Sequence, residues 1–302
     1  MAGKKHSPIS VPKIAPKLVI RALSEVYDWG LRDLNIPDAH KQTMGEGIKI
    51  GIVDTGLCTH HDVSENNAEA ANFSDSKTVE DKAGHSTACA GIIAAAKNGM
   101  GIVGVAPKAK LFYAKALNDS GIGEMDWITN AIKWCRNMKV DIISISAGSP
   151  VDYRPLQKQI KAAYAENIVM VAAAGNDGED TGDVDYPARY KEVISVGAYD
   201  SNRKIAKFSS RGHVVVAAPG VDIYTTWLGN QYGKVDGTSF SCPIIAGVCA
   251  LILSKHRSEA VCKTPCRTPS EMFEHLTKYT VRLGDRRAFG FGAVDVLKTL
   301  EG

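Results

Sequence analysis

Four side chains suited to acyl transfer stand at the ends of apolar runs in this sequence. Asp54 closes "IKIGIVD", a β-branched run that reads as a buried strand. His85 opens the helix-like, small-residue stretch "HSTACAGIIAAA", and Asn176 follows the strand-like "IVMVAAAG". Ser239 sits in "VDGTSFSCP", just ahead of the apolar "IIAGVCALIL". A serine hydroxyl is a poor nucleophile until a base takes its proton. Histidine suits that task near neutral pH, and a buried carboxylate fixes its tautomer and steadies its charged form. An asparagine amide and a backbone N–H at a helix start can hold the oxyanion. Each residue alone has a plainer reading: a turn former for Asp54, a packed or capping side chain for His85, an N-cap for Ser239 and a turn for Asn176. Their joint occurrence, each among small residues, favours the chemistry.

The elements that must carry these residues alternate along the chain. Strands are expected at 48–54, 110–116, 141–146, 168–174 and 193–198, and helices at 85–96, 124–138, 155–167, from Ser239 onward and at 269–280. Such alternation predicts an α/β fold, a three-layer α/β/α sandwich around a mostly parallel, twisted sheet. In such sheets function gathers beyond the carboxyl ends of the strands, where Asp54 and Asn176 fall. Residues 1–25 hold three X-Pro steps within the first sixteen positions, which oppose regular structure. They read as an N-terminal extension, with 26–302 forming one domain.

The composition narrows the partners. Of 302 residues, 44% are hydrophobic and 23% charged, ordinary for a globular chain, and the net charge of +3 with no basic run gives no sign of a nucleic-acid partner. No apolar stretch reads as long enough for a bilayer, and "KLVIRAL" is too short for a signal-peptide core, so no membrane partner and a cytoplasmic location are expected. Seven scattered cysteines agree with a reducing compartment. Cys262 and Cys266 form the one close pair; a disulfide and half a zinc site stand as alternatives to unlinked surface thiols, the favoured reading. His60 and His61 look like a metal pair, but neighbours on an extended chain point apart. "GMGIVG" follows a helix rather than a strand, which removes a dinucleotide-loop reading.

The segments "GIVDTG", "GHSTACAGIIAA", "GIVGVAP", "VDIISISAG", "VAAAGNDG", "YPARYKEVISVGA", "FSSRG", "VAAPGVDIYTT" and "DGTSFSCP" together resemble the subtilisin family of serine peptidases, in order and spacing, from about Val26 to Leu300. The chain is most like the family's intracellular branch. The resemblance implies a serine endopeptidase in which Asp54 orients His85, His85 is the base, Ser239 attacks and Asn176 stabilises the oxyanion. It departs from the family at Ser86, where glycine is usual, and at Ser241, Cys242 and Ile244. Ser86 could crowd the histidine or cap the helix, and it supports the alternative of a degenerate relative that binds peptides or a partner without turnover.

The resemblance also implies the substrate and cofactor sites. Peptide or protein substrates would lie extended between Ser146–Ala147–Gly148 and Gly121–Ile122–Gly123, as an added strand. Asp185 would form the floor of the S1 pocket and Asp177 its rim, favouring Lys or Arg at P1. Structural calcium would take Asp62, Asn98 and the carbonyls of Ala96, Met100 and Ile102, a cage of hard oxygens, although the loop from Asp54 to Asp62 is one residue short. A second cation site is weakened, because "VVVAAPG" offers no acid. The extension would lie across the active site as an inhibitor, "VPKIAPKLVIRAL" acting as pseudo-substrate with Lys13, Lys17 and Arg21 as bait for an acidic pocket. Further copies of the chain are compatible partners.

Overall fold

The strands that end at the candidate residues lie side by side. In the computed structural model, which describes residues 9–11, 16, 24–179, 183–258 and 266–302, nine strands form one sheet. The ranges are β2 Lys49–Asp54, β3 Asn67–Asn72, β4 Lys110–Lys115, β6 Ile142–Ile145, β7 Val169–Ala173, β8 Ile194–Tyr199, β9 Val216–Pro219, β12 Thr280–Val281 and β13 Ala293–Val294. Their order is β12-β13-β9-β8-β7-β6-β2-β4-β3, parallel throughout except for the β12–β13 pair. The α/β expectation holds, and strand direction brings the carboxyl ends of β2, β6 and β7 to one edge.

Side-chain alternation sorts residues into two cores. On β7, Val169, Val171 and Ala173 join the core of helices α3 (His85–Ala94) and α6 (Thr238–Ser258), while Met170 and Ala172 join that of α4 (Met125–Asn137) and α5 (Arg154–Ala165). Two further strands, β10 (Ile223–Trp227) and β11 (Gln231–Val235), form a hairpin packed on α3. The short helices α1 (Trp29–Asp33), α2 (Ile36–Ala39), α8 (Arg286–Phe289) and α9 (Val296–Glu301), with α7 (Pro269–Lys278), complete the layers.

Helix α6 corrects one reading and refines another. It is 21 residues long and apolar enough to span a bilayer by length and composition, but 94% of that window is buried inside the protein. It is a core helix. It begins at Thr238, so Ser239 lies within its first turn rather than capping it.

Three other expectations change. The extension is not wholly irregular: β1 (Ile9–Ser10) pairs antiparallel with β5 (Ile122–Gly123), because Pro8 and Pro12 flank a short span that can still donate to a neighbouring edge. Cys266 is buried rather than a surface thiol, packed in the α6 core, while Cys262 lies outside the described residues. The six described cysteines are all free and buried. His60 and His61 do not point apart. The chain turns after them, and their rings stack at 4.4 Å.

Candidate active site

Asp54 is 1% exposed at the tip of β2. A carboxylate so placed needs donors, and two are in reach: Thr55 N at 2.6 Å and His85 Nδ1, 2.7 and 2.9 Å from the two oxygens. Since an ionised carboxylate only accepts, Nδ1 carries the proton. His85, the first residue of α3, is itself buried, and its Nε2 has no partner among the described residues.

Ser239 comes to His85 through α6. Pro243 lies inside that helix and has no N–H to give the carbonyl four residues earlier, that of Ser239. The carbonyl instead accepts from Ser146 Oγ at 2.8 Å and Cys89 Sγ at 3.5 Å. The same sulfur lies 3.9 Å from His85 Nδ1, so Cys89 contacts both the imidazole and the Ser239 backbone. Burial, then the Asp54 charge, push the Cys89 thiol well above its usual range, so it stays protonated. Phe240 covers the imidazole at a centroid distance of 5.4 Å. The Ser239 hydroxyl donates to Ser146 O at 3.0 Å rather than to His85 Nε2.

Asn176 follows β7. Its Oδ1 accepts from Thr238 N and Thr238 Oγ1, both at 3.0 Å, and this fixes the amide with its NH2 on the other side. Thr238 N–H is thus taken, and Phe240 N–H goes to Gly237 O. The intervening Ser239 N–H finds no acceptor among the described residues, as expected in the first turn of a helix. Asn176 and Ser239 share a cavity of about 320 Å³ with Ser146, Ala147, Gly148, Asp177 and Asp185.

Asp185 lines that cavity. A Cβ at Gly148 would lie 2.6 Å from Asp185 Cβ, and one at Gly175 2.8 Å from Ser210 Oγ on a backbone with φ of 111°, so both positions favour glycine beside Asp185. Burial, and secondarily Asp177, raise its pKa to about 6. Asp177 is exposed at the rim. Gly121, Ile122 and Gly123 do not line the cavity themselves; the extension pairs with them, Val11 N donating to Gly121 O at 3.0 Å and Ile9 opposing Gly123. Ile9 is completely buried in the α4 core, and Ser10 and Val11 border the same cavity as Ser239. Lys13, Lys17 and Arg21 lie outside the described residues.

The loop of the expected cation site folds around Asp62, which is fully buried. Asp62 Oδ2 accepts from Ile102 N at 3.1 Å and Tyr232 OH at 2.8 Å, and Oδ1 from Asn98 Nδ2 at 3.2 Å. Ala96 N donates to Asp62 O at 2.7 Å. The carbonyls of Ala96, Met100 and Ile102 accept no hydrogen bond among the described residues. Glu25 Oε1 accepts from Gly99 N at 2.8 Å, a second carboxylate at the loop that the sequence reading missed. That reading also missed Cys89, Phe240 and Tyr232. An apolar or aromatic residue beside a functional one carries no chemical signature until the fold brings it there.

With this geometry in hand, comparison with known proteins decides the family. A model of the subtilase family, Peptidase_S8, matches residues 45–292. The chain belongs to the subtilase family. It is 34% identical to "Subtilisin E" of Bacillus subtilis (strain 168) over 292 residues, 95% of this chain and 74% of that protein. It is 39% identical to the "Intracellular serine protease" of Paenibacillus polymyxa over 284 residues, 90% of this chain and 86% of that protein. "Subtilisin DY" of Bacillus licheniformis matches at 39% over 255 residues, 83% and 90% of the two chains. The protein is a subtilase serine endopeptidase acting on peptide or protein substrates.

Ser86, the departure from the family beside His85, neither caps α3 nor bonds elsewhere. Its N–H donates to Thr55 Oγ1 at 2.9 Å, while its fully buried Oγ has no partner among the described residues. A buried hydroxyl without a partner costs about 1–3 kcal/mol. Ser86→Ala is therefore expected to raise stability by about 1 kcal/mol in urea unfolding monitored by fluorescence; a loss of stability would show that the hydroxyl is satisfied in solution.

Proposed function

We propose that Asp54, His85 and Ser239 act as a catalytic triad, with Asn176 Nδ2 and the Ser239 N–H as oxyanion donors, in an intracellular endopeptidase held in check by its own N-terminal extension. One arrangement carries the reading: His85 is held on Asp54 through Nδ1, its Nε2 has no partner among the described residues, and Cys89 Sγ lies 3.9 Å from that ring and 3.5 Å from Ser239 O. Rotation about Ser239 χ1 takes the hydroxyl from Ser146 O to Nε2, where the imidazole accepts its proton as the oxygen attacks the scissile carbonyl. The negative charge that develops on the carbonyl oxygen meets the two oxyanion donors, pre-aimed by the Thr238 bonds. The imidazolium, steadied by Asp54, then protonates the leaving amine, and water repeats the sequence to free the acid. The intracellular setting follows the printed name of the Paenibacillus relative.

The extension would inhibit by taking the substrate's place. Residues 9–11 run antiparallel to the edge at Gly121–Gly123 and border the cavity beside Ser239, the position of an added substrate strand. Deleting residues 1–20 should raise both peptide hydrolysis and the rate of labelling by a fluorophosphonate probe, and Ser239→Ala should abolish labelling. An unchanged rate in the deletion would remove the inhibitory role, and labelling that survives Ser239→Ala would remove the triad.

Asp185 supports a preference for Lys or Arg at P1, since a desolvated cation needs a charged partner. A carboxyl with its pKa raised to about 6 is neutral below that value and anionic above it. The ratio of kcat/KM for an Arg substrate to that for a Leu substrate should therefore rise as pH increases through about 6. Using the ratio cancels the titration of the base. Asp185→Ser should flatten the ratio, and an Arg preference that survives the substitution would contradict the assignment.

Calcium fits the Asp62 loop on its donor set. The carboxylate, the Asn98 amide oxygen, which here accepts from Met100 N at 3.0 Å, and three carbonyls without donors among the described residues are hard oxygens, and Glu25 adds charge nearby. When bound, calcium would brace the loop that joins α3 to the segment after the extension. Chelation with EGTA should lower the Tm by several degrees, and Asp62→Asn should remove the dependence. A Tm indifferent to calcium in the unaltered protein would show that the donors on Asp62 suffice alone.

A further inference from the structure

We infer that Asp81 is a positioning residue that sets the distance between Asp54 and His85. The inference rests on the triad reading. Asp81 is buried, and its carboxylate accepts five hydrogen bonds. Oδ1 takes Thr55 Oγ1 at 2.9 Å, Ala83 N at 3.0 Å and Gly84 N at 2.9 Å, and Oδ2 takes the backbone and hydroxyl donors of Thr87, both at 2.8 Å.

These donors lie at both ends of the pair that must be held. The N-cap of α3 is Gly84, which has no side chain to serve the free N–H groups of the helix start. Asp81 serves Gly84 N and Thr87 N from outside the helix, and Thr55 Oγ1 accepts from Ser86 N at 2.9 Å. Thr55 directly follows Asp54 and donates its own N–H to the Asp54 carboxylate. The Thr55 hydroxyl can accept from Ser86 in this orientation because its proton goes to Asp81, an acceptor only. The helix that begins at His85 is thus fastened to the strand tip that ends at Asp54 through one hydroxyl and one carboxylate. Lys115 repeats the fastening from β4, giving Nζ to Thr55 O at 2.5 Å and Glu80 O at 2.9 Å.

Among the described residues, the charged and titratable groups around His85 include Asp54 from β2, Cys89 from its own helix, Asp81 at the helix start and Lys115 behind Thr55, itself paired with Asp119. Asp81 contributes negative charge beside a helix N-terminus that would otherwise disfavour an imidazolium. Asp81→Asn keeps the shape but turns an amide NH2 toward donors and removes the charge. With the substrate subsites untouched, kcat should fall about 10- to 100-fold with KM within twofold, as for a small misplacement of reacting groups. The acid limb of the kcat/KM profile should move to lower pH.

Thr55→Val provides the second variant, should Asp81→Asn fail to fold. It removes the hydroxyl without changing charge, so kcat should fall several-fold with KM and the acid limb unmoved. Wild-type kcat in either folded variant, or an acid limb unmoved in Asp81→Asn, overturns the inference. Ser239→Ala is measured in parallel. If it abolishes turnover, wild-type kcat in Asp81→Asn refutes the role of Asp81 alone; if turnover persists in Ser239→Ala, the triad reading fails and the role of Asp81 fails with it.

Discussion

A carboxylate removed from water must be surrounded by donors or lose its charge. Among the described residues Asp54 meets that condition with a backbone N–H and an imidazole N–H, and much of the site's arrangement follows. The imidazole can serve only if α3 starts beside the tip of β2. It does so because Asp81, Thr55 and Lys115 bind the helix start and the strand end into one block. Once Nδ1 is committed to Asp54, Nε2 is the nitrogen left for chemistry.

The second half of the site is brought in by a helix with a broken hydrogen-bond ladder. Pro243 leaves the Ser239 carbonyl without its helical donor, and Ser146 and Cys89 supply replacements from β6's end and from α3. The Ser239 backbone is therefore tied to Ser146 on one side and to the helix that begins at His85 on the other. Its hydroxyl is not tied in the same way, and rests on Ser146 O. The described part of the extension lies on a different edge, at Gly121–Gly123, and borders the cavity beside Ser239 as a strand paired through few backbone hydrogen bonds.

Much of this was legible in the sequence. Buried parallel strands such as β6 and β7 read as short apolar runs, and the residues just past them stand out because polar types there need a reason. Less legible were β3, whose "NAEAAN" is an edge strand with few apolar residues, and the β10–β11 hairpin, whose pairing depends on α3 beneath it. The stacking of His60 on His61 escaped a rule for extended chains because the chain turns there. Asp81 gave no signal: an acid in "VEDKAG" reads as a solvated loop until its five donors converge.

The claim most exposed to test is that Asp54 holds the His85 proton on Nδ1 and leaves Nε2 bare. Nitrogen-15 NMR of histidine-labelled protein, with the His85 signals assigned by their absence in His85→Ala, reads the tautomer directly. A protonated Nδ1 with an unprotonated Nε2 at pH values where the imidazole is neutral is the expected result. A proton on Nε2 under those conditions would contradict the account.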